Sequence, residues 1–259
     1  NIKMNKKEAI RSLRKKLQQG SPSVGSWMQI PNTSIAEILG KAGYDWITID
    51  LEHGNISNES LPDLMRAIEL GDTLPLVRLS SNSLSECKTV MDAGSSGVIV
   101  PMVSNAKQLQ EIKEAISWPP AGTRGVGFSR ANLFGKEFAD YKEFAQNPLL
   151  IAQIEHVNTL NNLEEILSVS GLDAIIIGPY DLSASMGITG DFEHPDFQGA
   201  IEKILKLSKE KNIPCGEHIT SPEPDIIKEK IDEGYSFFAY CTDGIFLFSH
   251  SHSPMSKDK

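Results

Sequence analysis

The feature that most constrains the fold is a regular alternation of short apolar runs with amphipathic stretches, at intervals of about 25 residues. The predicted strands are 24–30, 46–52, 74–79, 98–102, 149–155, 174–178, 213–218 and 237–242. The predicted helices are 6–19, 34–42, 60–70, 84–92, 106–116, 160–168, 197–209 and 224–233. Eight strand–helix units predict a (β/α)8 TIM barrel, an α/β fold, with 6–19 as an N-terminal capping helix. A doubly wound sheet is the alternative, but no glycine-rich phosphate loop follows the first strand.

Length, net charge and cysteine content limit the classes of partner and the location that the chain can have. A length of 259 residues suits one barrel, so residues 1–259 are predicted to form a single domain. The net charge of −9 argues against a nucleic-acid partner, and no apolar run reaches the ~20 residues of a membrane span. Cys87, Cys215 and Cys241 are too far apart for a zinc site or disulfide framework, which favours the cytoplasm. Residues 1–3, before Met4, are interpreted as an expression remnant, and 249–259 as a fraying polar tail.

Two carboxylates close neighbouring predicted strands. Glu155 ends one apolar run, and Asp181 follows the next in Gly-Pro-Tyr-Asp-Leu. The carboxyl ends of parallel strands meet at one end of a barrel, which is called the mouth below. Two acids there could hold a hard divalent cation such as Mg²⁺ or Mn²⁺, although strand-end acids also cap helices or pair with arginine. Backbone N–H groups around Gly178 and Tyr180 could bind a substrate carboxylate.

Basic side chains are predicted at the same mouth. His53 follows the second strand and is suited to proton transfer, while Arg78 ends the third and could face a carboxylate or an oxyanion. Either residue could instead be structural. Arg124 lies in the long connection 117–148, which we expect on the catalytic face, where it binds an acidic substrate or remains a solvated surface arginine. The predicted strands contain no lysine, which argues against a Schiff-base aldolase.

Five motifs, taken together, resemble the HpcH/HpaI family of metal-dependent pyruvate aldolases, which includes 4-hydroxy-2-oxoheptanedioate and 2-dehydro-3-deoxyglucarate aldolases. The similarity runs from about residue 24 to residue 243, and the motifs are AGYDWITIDLEH (42–53), PLVR (75–78), PPAGTRGVG (119–127), QIE (153–155) and DAIIIGPYDLS (173–183).

The resemblance implies a hexameric, divalent-metal-dependent aldolase that reversibly cleaves a 4-hydroxy-2-oxo acid to pyruvate and an aldehyde through a metal-bound enolate. By position, Glu155 and Asp181 would bind the metal, which could be Mg²⁺, Mn²⁺ or Co²⁺, and Gln153 would touch pyruvate. Arg78 would stabilise the enolate, and His53 would transfer a proton.

The resemblance also pairs His53 with Asp92. Asp92 is predicted at the end of a helix, on the barrel face opposite the mouth, so it would have to act from a neighbouring subunit; Asp50 is the alternative within the chain. The short polar C-terminus departs from the family pattern and leaves the oligomeric state open.

Two other functions remain open at this stage. A carbon–carbon lyase acting on a CoA thioester, like the citrate-lyase β-subunit barrels, would need a basic patch for the CoA phosphates, and none is clearly marked. A non-catalytic barrel that binds an oxo acid is the other, and the presence of His53, Arg78, Glu155 and Asp181 together argues against it.

Overall fold

The chain is a closed barrel of parallel strands. The computed structural model describes residues 5–255, and within that range each of eight strands pairs with the next, and β8 pairs with β1. The strands are β1 Ser23–Met28, β2 Trp46–Asp50, β3 Leu74–Arg78, β4 Gly97–Val100, β5 Leu149–Ile154, β6 Ala174–Ile177, β7 Cys215–Ile219 and β8 Phe237–Thr242. The predicted (β/α)8 barrel is confirmed, with strand ends within two residues of the predicted ones.

The helices surround this barrel. They are α1 Lys6–Gln18, α2 Thr33–Lys41, α3 Leu61–Glu69, α4 Leu84–Ala93, α5 Ala106–Ile116, α6 Phe138–Phe144, α7 Leu163–Leu167, α8 Pro179–Ser185, α9 Pro195–Lys211, α10 Asp225–Asp232 and α11 Asp243–His250. Two 3₁₀ helices span Arg130–Gly135 and Val157–Asn161. The strands are buried on both faces, as expected for a parallel sheet enclosed by helices.

Helix α1 covers the end of the barrel where the strands begin. Arg14 Nε donates a hydrogen bond of 2.6 Å to Asp173, which directly precedes β6, and Lys16 Nζ lies 2.7 Å from Asp45, which directly precedes β2. The apolar side of α1 is buried beneath these contacts. The predicted capping helix is therefore confirmed, and the mouth lies at the opposite end.

Large aromatic side chains fill the barrel interior. Trp46 stacks on Phe237 with ring centroids 4.6 Å apart, and Trp27 meets Trp46 edge-on at 6.3 Å. A Cβ atom at Gly25 would lie only 2.1 Å from the Trp46 ring, so this position on β1 needs glycine. The interior is thus packed solid below the mouth, which confines a binding site to the strand ends.

Three helices were not predicted: α6, α8 and α11. Helix α11 is apolar along most of its length, so it lacks an amphipathic pattern; its start is capped by the Thr242 hydroxyl, which accepts from Ile245 N at 3.2 Å. The predicted helix 160–168 is divided between a 3₁₀ helix and α7. The predicted polar tail 249–259 begins too early, because Ser249 and His250 belong to α11. Residues 251–255 have no regular structure, and 1–3 and 256–259 lie outside the described residues.

The lengths of the helices and the state of the cysteines bear on a membrane span and on disulfide bonds. In residues 5–255, every helix is too short or too polar to cross a membrane. Cys87, Cys215 and Cys241 are buried free thiols.

Candidate active site

An arginine and two acids form a buried ion cluster at the mouth. The register of β2 and β3 pairs Asp50 with Arg78. Arg78 Nε and Nη2 donate to the two Asp50 oxygens at 2.8 and 2.7 Å, and Nη1 lies 2.8 Å from Glu52 Oε2. Burial alone would raise the pKa of Asp50, but the bonds and charge of Arg78 lower it below its ordinary value. Asp50 therefore stays ionised and fixes the direction of the guanidinium.

Glu155 is held beside this cluster at the end of β5. Met102 N–H donates to Glu155 Oε1 at 2.5 Å, and Gln153 Nε2 donates to Oε2 at 2.5 Å. The residue is only 2% exposed. Burial, followed by the negative charges of Glu52 and Asp181, raises the pKa of Glu155 to about 7, although the Met102 bond opposes the rise. These carboxylates are close enough to repel one another, so the site favours a cation.

Asp181 lies at the mouth near Glu155, on the segment that follows β6. Strand β6 ends at Ile177, and α8 begins at Pro179, so Asp181 lies in the first turn of α8 beside the mouth. A Cβ atom at Gly178 would lie 2.8 Å from Glu155 Oε2 and 3.2 Å from Gln153 Nε2. Glycine at this position therefore leaves room for the Glu155 carboxylate. Tyr180 is exposed and contacts Phe192 edge-on, with centroids 5.1 Å apart.

His53 lies at the rim of the mouth, in the loop after β2. Its backbone N–H donates to Asp50 Oδ1 at 3.3 Å, and its side chain is exposed. Burial raises the pKa of the neighbouring Glu52 carboxyl, although the charges of Arg78 and then His53 oppose the rise. The imidazole is thus available to groups arriving at the mouth. Asp50 accepts a hydrogen bond from the His53 backbone N–H and not from the imidazole, so Asp50 does not support the ring directly.

The donor atoms at the mouth suit a divalent cation. Within residues 5–255 no cluster of three or more His, Cys, Asp or Glu is arranged as a complete metal site. Glu155 and Asp181 nevertheless supply two carboxylates, and the buried Oε1 of Gln153 has no hydrogen-bond partner. Two oxygen ligands from the protein, with water and substrate filling the rest, are typical of Mg²⁺ sites. The oxygen atoms of these three side chains therefore fit the divalent cation that the sequence predicts.

Asp92 and Arg124 lie together at the opposite end of the barrel. The long connection 117–148 follows α5 and precedes β5, so it lies beside the strand starts; its Glu143 bonds Arg11 of the capping helix at 2.7 Å. The expectation that this connection lies on the catalytic face was wrong, because a segment entering a strand always reaches the face opposite the mouth.

Arg124 is not a solvated surface residue. It is buried, it donates to Asp92 Oδ1 and to the Tyr141 hydroxyl at 2.9 Å each, and its guanidinium lies over the Trp118 ring. Arg124 and Asp92 of one chain are thus separated from His53, Arg78 and Glu155 of the same chain.

Glu52 and Gln29 are mouth residues that sequence reasoning missed. Glu52 contacts Arg78, and Gln29 Nε2 donates to Asp50 Oδ2 at 3.0 Å from the end of β1. The signal that selected Glu155, a polar side chain directly after an apolar strand, applies to Gln29, which follows β1, while Glu52 lies two residues beyond the end of β2.

Comparison with known proteins identifies the family. A family model described as HpcH/HpaI aldolase/citrate lyase matches residues 23–250. The chain belongs to this family. The predicted family is confirmed, and so is the predicted enzyme class, because aldolases and citrate lyases are both carbon–carbon lyases.

Individual relatives agree with this assignment over nearly their whole length. The chain is 36% identical to hydroxypyruvate/pyruvate aldolase of Roseobacter denitrificans, with 96% of this chain and 98% of that protein covered. It is 35% identical to 4-hydroxy-2-oxo-heptane-1,7-dioate aldolase of Escherichia coli, with 91% and 90% covered. Among solved structures, an HpcH/HpaI aldolase/citrate lyase family protein from Burkholderia cenocepacia superimposes with a TM-score of 0.85 at 29% identity, covering 92% and 95% of the chains.

Proposed function

We propose that the protein is a divalent-metal-dependent aldolase that reversibly cleaves a 4-hydroxy-2-oxo acid to pyruvate and an aldehyde. The observation that carries the proposal is the crowding of the Glu155 carboxylate, buried and raised in pKa beside Glu52 and Asp181, at the mouth of a barrel of this family. Relatives named as aldolases of pyruvate and of a 4-hydroxy-2-oxo acid support the substrate class.

Glu155 and Asp181 would hold the metal, and their carboxylate oxygens suit Mg²⁺, Mn²⁺ or Co²⁺. When bound there, the ion supplies Lewis-acid polarisation of the substrate keto group. Gln153 and the backbone N–H group of Tyr180 would orient the pyruvate portion, since Gln153 is fixed by its bond to Glu155. The predicted contribution of the Gly178 N–H group falls away, because that group donates to the Ile154 carbonyl oxygen at 3.2 Å.

Arg78 and His53 would act on the reacting atoms. Three N–H groups of Arg78 are directed at Asp50 and Glu52, which leaves two on its terminal nitrogens for the negative charge that develops on the keto oxygen. His53, exposed at the rim, would accept the proton from the methyl carbon of pyruvate or return it.

Asp92 would support His53 of a neighbouring subunit, in a homo-oligomer that is hexameric by resemblance. Three observations favour this arrangement. Asp92 and His53 of one chain lie at opposite ends of the barrel. Arg124 holds the Asp92 carboxylate in place with a hydrogen bond of 2.9 Å. Phe128 and Phe134, which follow Arg124 in the same connection, are 73% and 71% exposed. Exposed aromatic side chains of this kind are typical of subunit contacts. Buried free cysteines are compatible with a cytoplasmic location for this single-domain enzyme.

Replacement of Asp181 tests the metal assignment. Asp181→Ala should lose Mn²⁺ binding and aldol cleavage together, while Asp191→Ala, an exposed acid in the loop after α8, should retain both. Near-normal Mn²⁺ binding and turnover in Asp181→Ala would contradict the assignment.

A mixing experiment tests the shared site. Asp92→Asn and His53→Ala should each be inactive alone, and subunits mixed by co-expression should recover part of the activity. No recovery in mixed oligomers would mean that both residues must come from the same subunit, which would contradict the shared site.

A further inference from the structure

The two oxygens of the Asp50 carboxylate, which fixes the direction of Arg78, are held in different ways. Oδ1 accepts from the backbone N–H groups of Glu52 and His53, at 3.0 and 3.3 Å, in the loop after β2. Within residues 5–255, Oδ2 accepts from Arg78 and, apart from it, only from Gln29 Nε2 at 3.0 Å. Gln29 is therefore the group that holds the second oxygen in place.

The plane of this carboxylate matters because a guanidinium is flat. Arg78 bonds both Asp50 oxygens, at 2.8 and 2.7 Å, which requires the two groups to be nearly coplanar. If only Oδ1 were held, the carboxylate could turn about its Cβ–Cγ bond, because the torsion at such a bond is soft. The amide of Gln29 opposes that turn, so it acts on the direction of Arg78 through Asp50.

The position of Gln29 itself depends on the C-terminal helix α11. Strand β1 ends at Met28, so the backbone N–H groups of Gln29 and Ile30 lie beyond the strand. Asp243, in the first turn of α11, accepts from both of them, with Oδ1 at 3.0 Å and with Oδ2 at 2.9 Å. Its Oδ1 also accepts from Gly244 N at 2.8 Å, and Asp243 is only 2% exposed. One buried carboxylate thus fixes the chain at the point where Gln29 leaves the strand.

An irregularity in β8 brings Asp243 to the end of β1. The register between the two strands shifts between Gly25 and Trp27, so that Trp27 pairs with Thr242. Cys241, inside the shifted stretch, has a left-handed backbone with a φ of 59°. A bulge of this kind re-aims the residues that follow it, and a strained backbone persists only where the surrounding contacts hold it. Asp243 comes directly after the shifted stretch, and its bonds to the end of β1 are such contacts.

We propose that Gln29 and Asp243 are positioning residues for the catalytic arginine. Asp243 fixes the end of β1, Gln29 fixes the plane of the Asp50 carboxylate, and that carboxylate directs the catalytic guanidinium at the keto oxygen. The inference rests on the proposed function, in which Arg78 meets the negative charge on that oxygen. It means that the end of β1 and the start of α11, which carry none of the proposed catalytic or metal-binding groups, affect the rate of the reaction.

The test measures deuterium exchange into the methyl group of pyruvate, as kcat per bound Mn²⁺, so that any loss of folded protein cancels. Gln29→Met keeps the length of the side chain and removes the donor. It should lower kcat roughly tenfold and leave the KM for pyruvate and the Mn²⁺ affinity nearly unchanged. Gln110→Met is the matched control and should leave all three unchanged, because Gln110 also donates to a carboxylate, Glu114 at 2.9 Å, but on the outer helix α5.

A double substitution separates positioning from a general structural role. In an Arg78→Lys background the two-point bond to Asp50 is already lost, so there is no plane left for Gln29 to set. Adding Gln29→Met to that background should therefore change kcat by less than about twofold. A structural defect would instead lower kcat by the same factor in both backgrounds.

Asp243→Asn tests the other positioning residue. It keeps the shape of the side chain but replaces one acceptor oxygen with an NH₂ group, which cannot accept from the N–H groups after β1. It should lower kcat per bound Mn²⁺ in the wild-type background and not in the Arg78→Lys background. Asp173→Asn is its control and should leave kcat per bound Mn²⁺ unchanged, because Asp173 also accepts from a backbone N–H, that of Leu150 at 3.0 Å, but at the opposite end of the barrel.

The outcomes separate this inference from the proposed function. An unchanged kcat in Gln29→Met, or an equal fall when Arg78→Lys is present, would overturn the inference. Equal falls in Asp243→Asn and Asp173→Asn would overturn the part assigned to Asp243. Metal-dependent exchange in the wild type with unaffected variants defeats only the positioning role, whereas no exchange in the wild type defeats both proposals.

Discussion

Glu155→Gln should stabilise the metal-free protein at alkaline pH while it abolishes metal binding. The pKa of Glu155 in the folded protein is about 7, against an ordinary value of 4.5. A raised pKa means that the folded protein binds this proton more tightly than the unfolded chain. The stabilisation from the protonated form is fully present below about pH 4.5 and is lost as the pH rises through about 7.

The magnitude follows from that difference in pKa. Relative to a protein in which Glu155 stays protonated, the wild type loses about 3 kcal/mol of unfolding free energy at pH 8. At pH 5 the loss is less than about 1 kcal/mol. Glutamine is neutral at every pH, so Glu155→Gln imitates the protonated acid and removes this cost. Met102 N–H can still donate to the new amide oxygen, and Gln153 can turn its unpaired Oε1 towards the new NH₂ group.

The assay is thermal unfolding in EDTA at pH 5 and pH 8, at one protein concentration. Glu155→Gln should unfold about 6–12 °C above the wild type at pH 8 and close to it at pH 5. Adding Mn²⁺ at pH 8 should raise the wild-type midpoint and leave the variant unchanged, because a ligand stabilises only the state that binds it. Glu165→Gln, an exposed acid on α7, is the control and should show no difference that depends on pH.

An equal or lower midpoint for Glu155→Gln at pH 8 would refute the reasoning. It would mean that the crowded carboxylates at the mouth do not destabilise the metal-free protein. A stabilisation of the same size at both pH values would also refute it, because the effect would then come from packing and not from the charge of Glu155.

Two further substitutions test the geometry of the mouth. Gly178→Ala should weaken Mn²⁺ binding by roughly 10- to 100-fold, measured by titration, because its Cβ atom would displace the Glu155 carboxylate from 2.8 Å away. Gly199→Ala in α9 meets nothing within 4 Å and should leave Mn²⁺ affinity unchanged. Arg78→Lys keeps the charge but loses the two-point bond to Asp50; kcat should fall by roughly 10²-fold with Mn²⁺ affinity nearly intact, and a fall in affinity alone would contradict a role in charge stabilisation.

The barrel could be predicted because its strands are continuous apolar runs separated by helices with a clear repeat. Ala174–Ile177 is such a run, and its boundaries were found within one residue. The unpredicted helices lack that repeat. Helix α8 has seven residues and begins with Pro179, and α6 lies inside a long connection that resembles a loop. Their formation depends on packing against the barrel, which local sequence does not encode.

The candidate site was only partly predictable for a similar reason. Position after a strand identified Glu155 and Arg78, because that position fixes the face of the barrel. The partners of Arg78 depend on the register of β2 against β3, which sets Asp50 beside it, and register is not visible in one strand alone. Arg124 was assigned to the wrong face because its connection was judged by its length and not by the elements it joins.

The most direct test of the central claim is deuterium exchange into the methyl group of pyruvate in D₂O, followed by NMR, with Mn²⁺ or Mg²⁺ and then with EDTA. It needs no knowledge of the aldehyde. Exchange that requires the metal and disappears in Asp181→Ala is the predicted result. Saturating Mn²⁺ with no exchange in the wild type would contradict the claim that this protein is a pyruvate-dependent aldolase.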